Sequence, residues 1–308
     1  MRHQASNDRR PRPVARMVFL TEVLLAAAVS VGQEPPPAAY PNGKLLVEPR
    51  DLKKAIDTSS VLVLDVRPAA DYKQGHIPDA IWVDVDEWTK LSRSSGAMTN
   101  AKLWSEQLGS LGVQPQTPVV VYDATTTPNA GRVWWLIRYS GHPDVRLLNG
   151  GLAGWRESGG TPGDDDVPIV KTNFEPKFQP QMLADAKSVK GMIGQVGTCL
   201  IDSRTAAEYT GQQAQGPRGG RVPGAKHVEW KDFLNSRGQF KPADEIAKLL
   251  AARKVAAEQT AVTYCQSGGR ASLDAFALEL MGFKNVKNYY GSWAEWSADS
   301  DLPVEKGP

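Results

Sequence analysis

The sequence predicts an α/β protein built twice over, with two tandem copies of one domain, each a mainly parallel sheet flanked by helices on both faces. Three observations carry this expectation. An internal repeat runs through the chain: "VLVLDVRPAADYKQGHIPDAIWVDVDEW" from Val61 returns as "TCLIDSRTAAEYTGQQAQGPRGGRVPGAKHVEWKDF" from Thr198. Asp65, Arg67, Tyr72 and Pro78 thereby match Asp202, Arg204, Tyr209 and Pro223. The short apolar runs "VLVLDV", "PVVVY", "TCLID" and "AVTY" show no polar alternation, as strands buried on both faces of a parallel sheet should not. Helical spacing follows them, as where Leu273, Phe276, Ala277, Leu280 and Met281 form one apolar face before Gly282.

Taken in order, the chain opens with the basic stretch "RRPRPVAR" and the apolar run "MVFLTEVLLAAAVSVG", the order of a secretory signal peptide over residues 1–32. Glu22 and the shortness of the run argue against a membrane span, and Met17 offers a second possible start. The expectation is export to the periplasm or beyond, with no stable membrane association once the signal is cut. A Pro-rich linker over residues 33–43 leads to the first copy, 44–158. Residues 159–180, rich in Gly, Pro and Asp, join it to the second copy, 181–308.

Charge excludes one class of partner. Residues 1–32 hold five arginines and two acids, so without them the 36 basic and 34 acidic residues become 31 and 32. A near-neutral body does not carry a nucleic-acid footprint. The two cysteines, Cys199 and Cys265, build no disulfide framework. No Cys/His cluster has ligand spacing, so neither a metal nor another cofactor is expected.

The stretch "TYCQSGGRASLDAF", residues 263–276, concentrates the chemistry. It places Cys265 at the end of a strand, then a glycine-rich turn, then a helix expected to begin near Ala271. A thiolate is favoured by a helix N-terminus and by a neighbouring cation, here Arg270. The N–H groups from Gln266 through Ser267, Gly268 and Gly269 to Arg270 form a loop able to cradle an anion on the sulfur. Cys199 opens "CLID" with no such loop and reads as a packed core thiol. Asp123 stands in the first copy where Cys265 stands in the second, so the first copy is expected to be catalytically silent.

The ordered set "LDVRPAADYKQGHIPDA", "LNGGLAGW", "YCQSGGRAS" and "YYGSWAEW", present in two copies over about residues 44 to 304, resembles the tandem-domain rhodanese family of thiosulfate and 3-mercaptopyruvate sulfurtransferases. The resemblance implies two rhodanese-like domains, of which the second is catalytic. It implies a small anionic sulfur donor, a thiophilic acceptor such as cyanide or a thiol, and a cysteine persulfide between them. The family's arginine at the "D-[SA]-R" position implies that Arg204 holds the donor's anion. Arg218 and Arg221, in the loop that is longer in the second copy, are the other candidates for that contact. The loop is neutral at Gln266 and Ser267, which leaves thiosulfate and 3-mercaptopyruvate both open as donors.

Asp65 and Asp202 are expected to accept backbone N–H bonds at strand ends, His76 to be structural, and Trp155, Trp293 and Trp296 to pack. Two rival classes remain. Cysteine phosphatases share the strand-loop-helix but place five residues between Cys and Arg, whereas Cys265 and Arg270 enclose four. A non-catalytic periplasmic binding protein is the other, and rapid alkylation of Cys265 by iodoacetamide would count against it.

Overall fold

The computed structural model describes residues 39–307, together with Met1; the expected signal peptide and most of the Pro-rich linker lie outside the described residues. Both copies belong to one compact unit running from Pro37 to Pro308.

The first copy contains β1 (Leu46–Val47), β2 (Leu62–Asp65), β3 (Ile81–Trp82), β4 (Val119–Tyr122) and β5 (Val145–Leu148). All of their pairings are parallel, in the order β1-β5-β4-β2-β3. Its helices are α1 (Pro49–Asp57), α2 (Ala69–Lys73), α3 (Val85–Arg93), α4 (Ala101–Ser110), α5 (Pro128–Tyr139) and α6 (Gly151–Glu157). The second copy repeats the plan with β6 (Leu183–Ala184), β7 (Thr198–Asp202), β8 (Lys226–His227), β9 (Thr260–Tyr264) and β10 (Val286–Tyr289), in the parallel order β6-β10-β9-β7-β8. Around it lie α7 (Ala186–Met192), α8 (Ala206–Thr210), α9 (Ala243–Ala252), α10 (Gly269–Leu280) and α11 (Ser292–Ala298). The duplicated α/β architecture read from the repeat is the one observed.

Alternation along each strand, invisible as a polar pattern, sorts the side chains onto two faces. In the first sheet Val63, Val120 and Leu148 point to a core with Leu52 of α1 and Leu152 and Trp155 of α6. Leu64, Val119, Val121 and Leu147 point the other way. There they share one continuous core with Cys199, Ile201 and Ala261 of the second sheet. The outer face of that second sheet, Leu200, Val262, Tyr264 and Tyr289, is covered by Val189 of α7 and by Trp293 and Trp296 of α11. Trp155, Trp293 and Trp296 are thus packing residues, buried in the outer cores.

Helices α5 and α10 meet between the two sheets. Trp134 of α5 packs edge-on against Phe276 of α10 at 5.0 Å between ring centroids, and Arg138 reaches Glu279 at 3.1 Å. Gly131 sets the spacing, because a Cβ there would stand 2.9 Å from the backbone of Leu273. Helix α10 begins at Gly269, two residues before the expected start at Ala271, because Gly268 adopts φ +90° and turns the chain into the helix directly.

Gly131→Ala measures this contact. Overpacking against backbone costs about 1–3 kcal/mol, more than the roughly 1 kcal/mol that alanine gains in helix propensity. The variant is expected to melt below the wild type in calorimetry or denaturant titration, and an equal or higher Tm would show that the two helices are free to separate.

Candidate active site

Cys265 follows the last residue of β9 and is 1% exposed. The loop after it is held from several sides. The Cys265 N–H donates to Ser292 Oγ at 3.1 Å, and the Cys265 and Gln266 carbonyls accept from Trp293 and Ala294 of α11 at 2.9 and 3.1 Å. Ser292 takes φ +57°, a conformation its counterpart Gly151 shares in the first copy. The strain of a side chain in that region, of order 1–3 kcal/mol, accompanies the aim of its hydroxyl at the cysteine amide. Gly268 is fixed by space as well as by φ, since a Cβ there would meet the Tyr290 ring at 2.7 Å.

The Gly268 N–H donates to Cys265 Sγ at 3.2 Å. Among the described residues, the N–H groups of Gln266, Ser267, Gly269 and Arg270 have no acceptor. A buried loop with four unanswered amides at the start of a twelve-residue helix is a prepared seat for an anion carried by the sulfur. Cys199, by contrast, lies in the shared core, where burial pushes its thiol up to about 11. Both cysteines are free.

Arg270 turns its guanidinium onto Glu208 of α8, with two bonds of 2.7 and 2.9 Å. The expectation that Arg270 offers a full charge to the sulfur therefore needs amending, because a carboxylate shares it. Burial works to raise the Glu208 pKa, but the Arg270 pair and the Thr205 capping bonds outweigh it and hold the group down at about 2. One turn further along α10, Asp274 is fully buried, and that burial, then the nearby cysteine, keeps its carboxyl well above the usual range.

The three arginines expected on the donor are placed elsewhere. Arg204 is 0% exposed, bonded through Nε and Nη2 to Asp202 at 2.6 to 3.2 Å and to the Gly220 carbonyl at 2.7 Å, and its guanidinium lies 4.5 Å from the Trp293 ring centroid. Arg67 makes the matching bonds to Asp65 and to the Gly75 carbonyl in the first copy. Arg218 clamps the C-terminal segment through the carbonyls of Trp296, Ser297, Asp299 and Leu302. Arg221 pairs with Glu305 and stacks over Tyr209 at 4.2 Å, as His76 stacks on Tyr72 at 4.0 Å in the first copy. Each guanidinium already has partners in the fold, an acid, a row of carbonyls or a ring, although Arg204 Nη1 has no hydrogen-bond partner among the described residues.

Asp65 and Asp202 accept the N–H groups of Arg67 and Arg204 at 2.9 and 3.0 Å, the strand-end bonds anticipated for them. Asp123 occupies the turn between β4 and α5, where it accepts from Thr127 and from the Ala124 N–H. Among the described residues no three His, Cys, Asp or Glu side chains converge as metal ligands.

Sequence reasoning missed Glu208 and Arg132. Glu208 had a signal, the parallel of "RTAAEY" with "RPAADY" at the same distance from the strand. Arg132 of α5 had none. Its guanidinium crosses from the first copy to lie 2.6 Å from the Tyr290 hydroxyl and 3.5 Å from Ser267 Oγ, 135 positions away in sequence.

The model of the Rhodanese-like domain matches residues 48–158 and again 185–299, one copy over each sheet. The chain belongs to the rhodanese family. Among similar rhodaneses, a thiosulfate sulfurtransferase of Azotobacter vinelandii is 30% identical over 270 residues, covering 85% of this chain and 97% of the relative. A 3-mercaptopyruvate sulfurtransferase of Escherichia coli K12 is 29% identical over 268 residues, covering 82% and 95%. A solved structure of an EanB variant, with a cysteine persulfide and ergothioneine, superposes with a TM-score of 0.78 at 25% identity, covering 87% of this chain and 72% of that one. The two rhodanese-like copies share one core, so the first covers the inner face of the second.

A pH titration tests the Glu208–Arg270 pair. Because the folded pKa of Glu208 is depressed from its usual 4.5 to about 2, its contribution is complete above pH 4.5 and is lost as pH falls toward 2. That contribution is about 3 kcal/mol. Glu208→Gln is expected to be less stable at pH 7 and to lose less on acidification. If both proteins show the same acid slope between pH 4.5 and 2, the pair is not the source of the shift.

Proposed function

We propose that the chain is a sulfurtransferase in which Cys265 carries sulfane sulfur as a persulfide, from thiosulfate or 3-mercaptopyruvate to a thiophilic acceptor such as cyanide or a small thiol. The observation that carries this reading is the Cys265 loop, with one N–H on Sγ and four more amides that have no acceptor among the described residues. A thiosulfate sulfurtransferase and a 3-mercaptopyruvate sulfurtransferase both match this chain over nearly the whole of their own length.

The chemistry needs two displacements. The Cys265 thiolate attacks the sulfane sulfur, a new S–S bond forms at Sγ, and the old bond's electron pair leaves with sulfite, or with the carbon of 3-mercaptopyruvate, which takes up the donor thiol's proton to become pyruvate. The acceptor's lone pair then attacks the outer sulfur and the electrons return to Sγ. Splitting one difficult transfer into two is the use of a covalent intermediate. Through both stages the charge on sulfur faces the loop amides, whose alignment requires no reorganisation. The four-residue spacing from Cys265 to Arg270 suits one sulfur better than a tetrahedral phosphate.

The N-terminal order of basic and apolar blocks supports export, with a cut near Gly32. Fractionation with mass spectrometry of the native protein tests it, and an intact residue 1–32 segment in a cytoplasmic fraction would refute it.

Mass spectrometry also reads the central step. Protein treated with donor and no acceptor is expected to gain one sulfur, about 32 Da, on Cys265, and to lose it on adding cyanide, with ping-pong kinetics overall. Cys265→Ser should show neither, and Cys199→Ser should behave as the wild type. Sulfur mapped to Cys199, or turnover in Cys265→Ser, would falsify the assignment.

A further inference from the structure

Four arginines are buried among the described residues, and three of them face a carboxylate: Arg67 with Asp65, Arg204 with Asp202, Arg221 with Glu305. The fourth, Arg132, is 6% exposed and has no acid within ion-pair distance among the described residues. Its polar contacts are the Tyr290 hydroxyl, 2.6 Å from Nη1, and Ser267 Oγ, 3.5 Å from Nη2. The guanidinium carbon lies 5.4 Å from the Tyr290 ring centroid, and Ser92 of α3 shares the hydroxyl from behind at 2.8 Å. A Cβ built on Gly269 would stand 2.8 Å from Nη2, so the cation lies directly against the backbone of the cysteine loop.

A cation withdrawn from water without a counter-charge is costly. It is retained where a negative charge arrives during function. Two other charges beside the loop are paired, Arg270 of α10 with Glu208 of α8 and Asp202 of β7 with Arg204, while Asp232 acts on Asp274 from the preceding segment. Burial pushes the Asp274 carboxyl of α10 well above the usual carboxylate range. Among the described residues, Arg132 is the buried arginine at the loop that faces no carboxylate, and it is supplied by the first domain.

We propose that Arg132 is a positioning residue of the catalytic loop, which holds Ser267 and draws anionic sulfur donors toward Cys265. This rests on the reading of Cys265 as the sulfur carrier. It makes the first domain the source of a charge that Arg204, Arg221 and Arg270 of the second domain, each paired with a carboxylate, do not supply.

Alkylation of Cys265 in the full chain, with no sulfur donor present, tests the proposal with two reagents of similar size, neutral iodoacetamide and anionic iodoacetate. Arg132→Gln is expected to lower the iodoacetate-to-iodoacetamide rate ratio about ten-fold, the effect of removing one nearby charge in a partly desolvated site. Arg132→Lys, which keeps the charge, should stay near the wild-type ratio. Gly269→Ala should lower the ratio with every charge still present, because its methyl group pushes the guanidinium away. An unchanged ratio in Arg132→Gln, or equal slowing with both reagents, overturns the proposal in favour of a packing role. If Arg132→Gln does not fold, an unchanged ratio in Gly269→Ala overturns it alone. Neither reagent requires sulfur transfer, so this result stays readable even if Cys265 accepts no sulfur.

Discussion

The structure depends on a buried triad that it makes twice, an aspartate and an arginine two residues apart at a strand end with a tyrosine hydroxyl from the neighbouring strand. In the second domain Tyr264 donates to Asp202 at 2.8 Å and accepts the Val222 N–H at 3.1 Å, while Arg204 ties Asp202 to the Gly220 carbonyl. In the first, Tyr122 donates to Asp65 and accepts the Ile77 N–H, and Arg67 reaches the Gly75 carbonyl. Taking one partner from a buried pair costs about 3–5 kcal/mol, a large part of the 5–15 kcal/mol that holds an ordinary domain together. Tyr264 immediately precedes Cys265 in sequence. The triad that closes the sheet thereby also fixes where Cys265 leaves it, so a structural device sets the position of the cysteine loop.

The fold was legible because its determinants are local and stated twice. Unalternated strands, helical faces and turn glycines each lie within a few residues of one another, and the second copy repeats them. The cysteine loop was legible for the same reason, since strand, sulfur, glycines and helix follow within fourteen residues. The buried Asp202 pair of Arg204 was not read, although the repeat held the clue. A D-x-R element present in both copies, one of them without a nucleophile, has to do something the nucleophile does not need. Arg218 could not be read at all, because its four carbonyl partners lie 78 to 84 positions away and carry no side-chain signal. Arg132 belongs to the same class: a helix of one domain gains its meaning only against a loop of the other.

The shared core has a consequence for how the chain comes into being. The inner face of the first sheet, with Trp134 and Leu136 of α5 on it, is completed by α10, whose residues are synthesised roughly 140 positions later. At ribosomal rates of about 5–20 residues per second, that surface waits on the order of ten seconds for its cover. Nascent chains of this protein therefore pass through a period in which a finished parallel sheet presents bare aromatic and aliphatic side chains to water. A chaperone that binds such surfaces has its window there, and it closes when the last third of the polypeptide emerges.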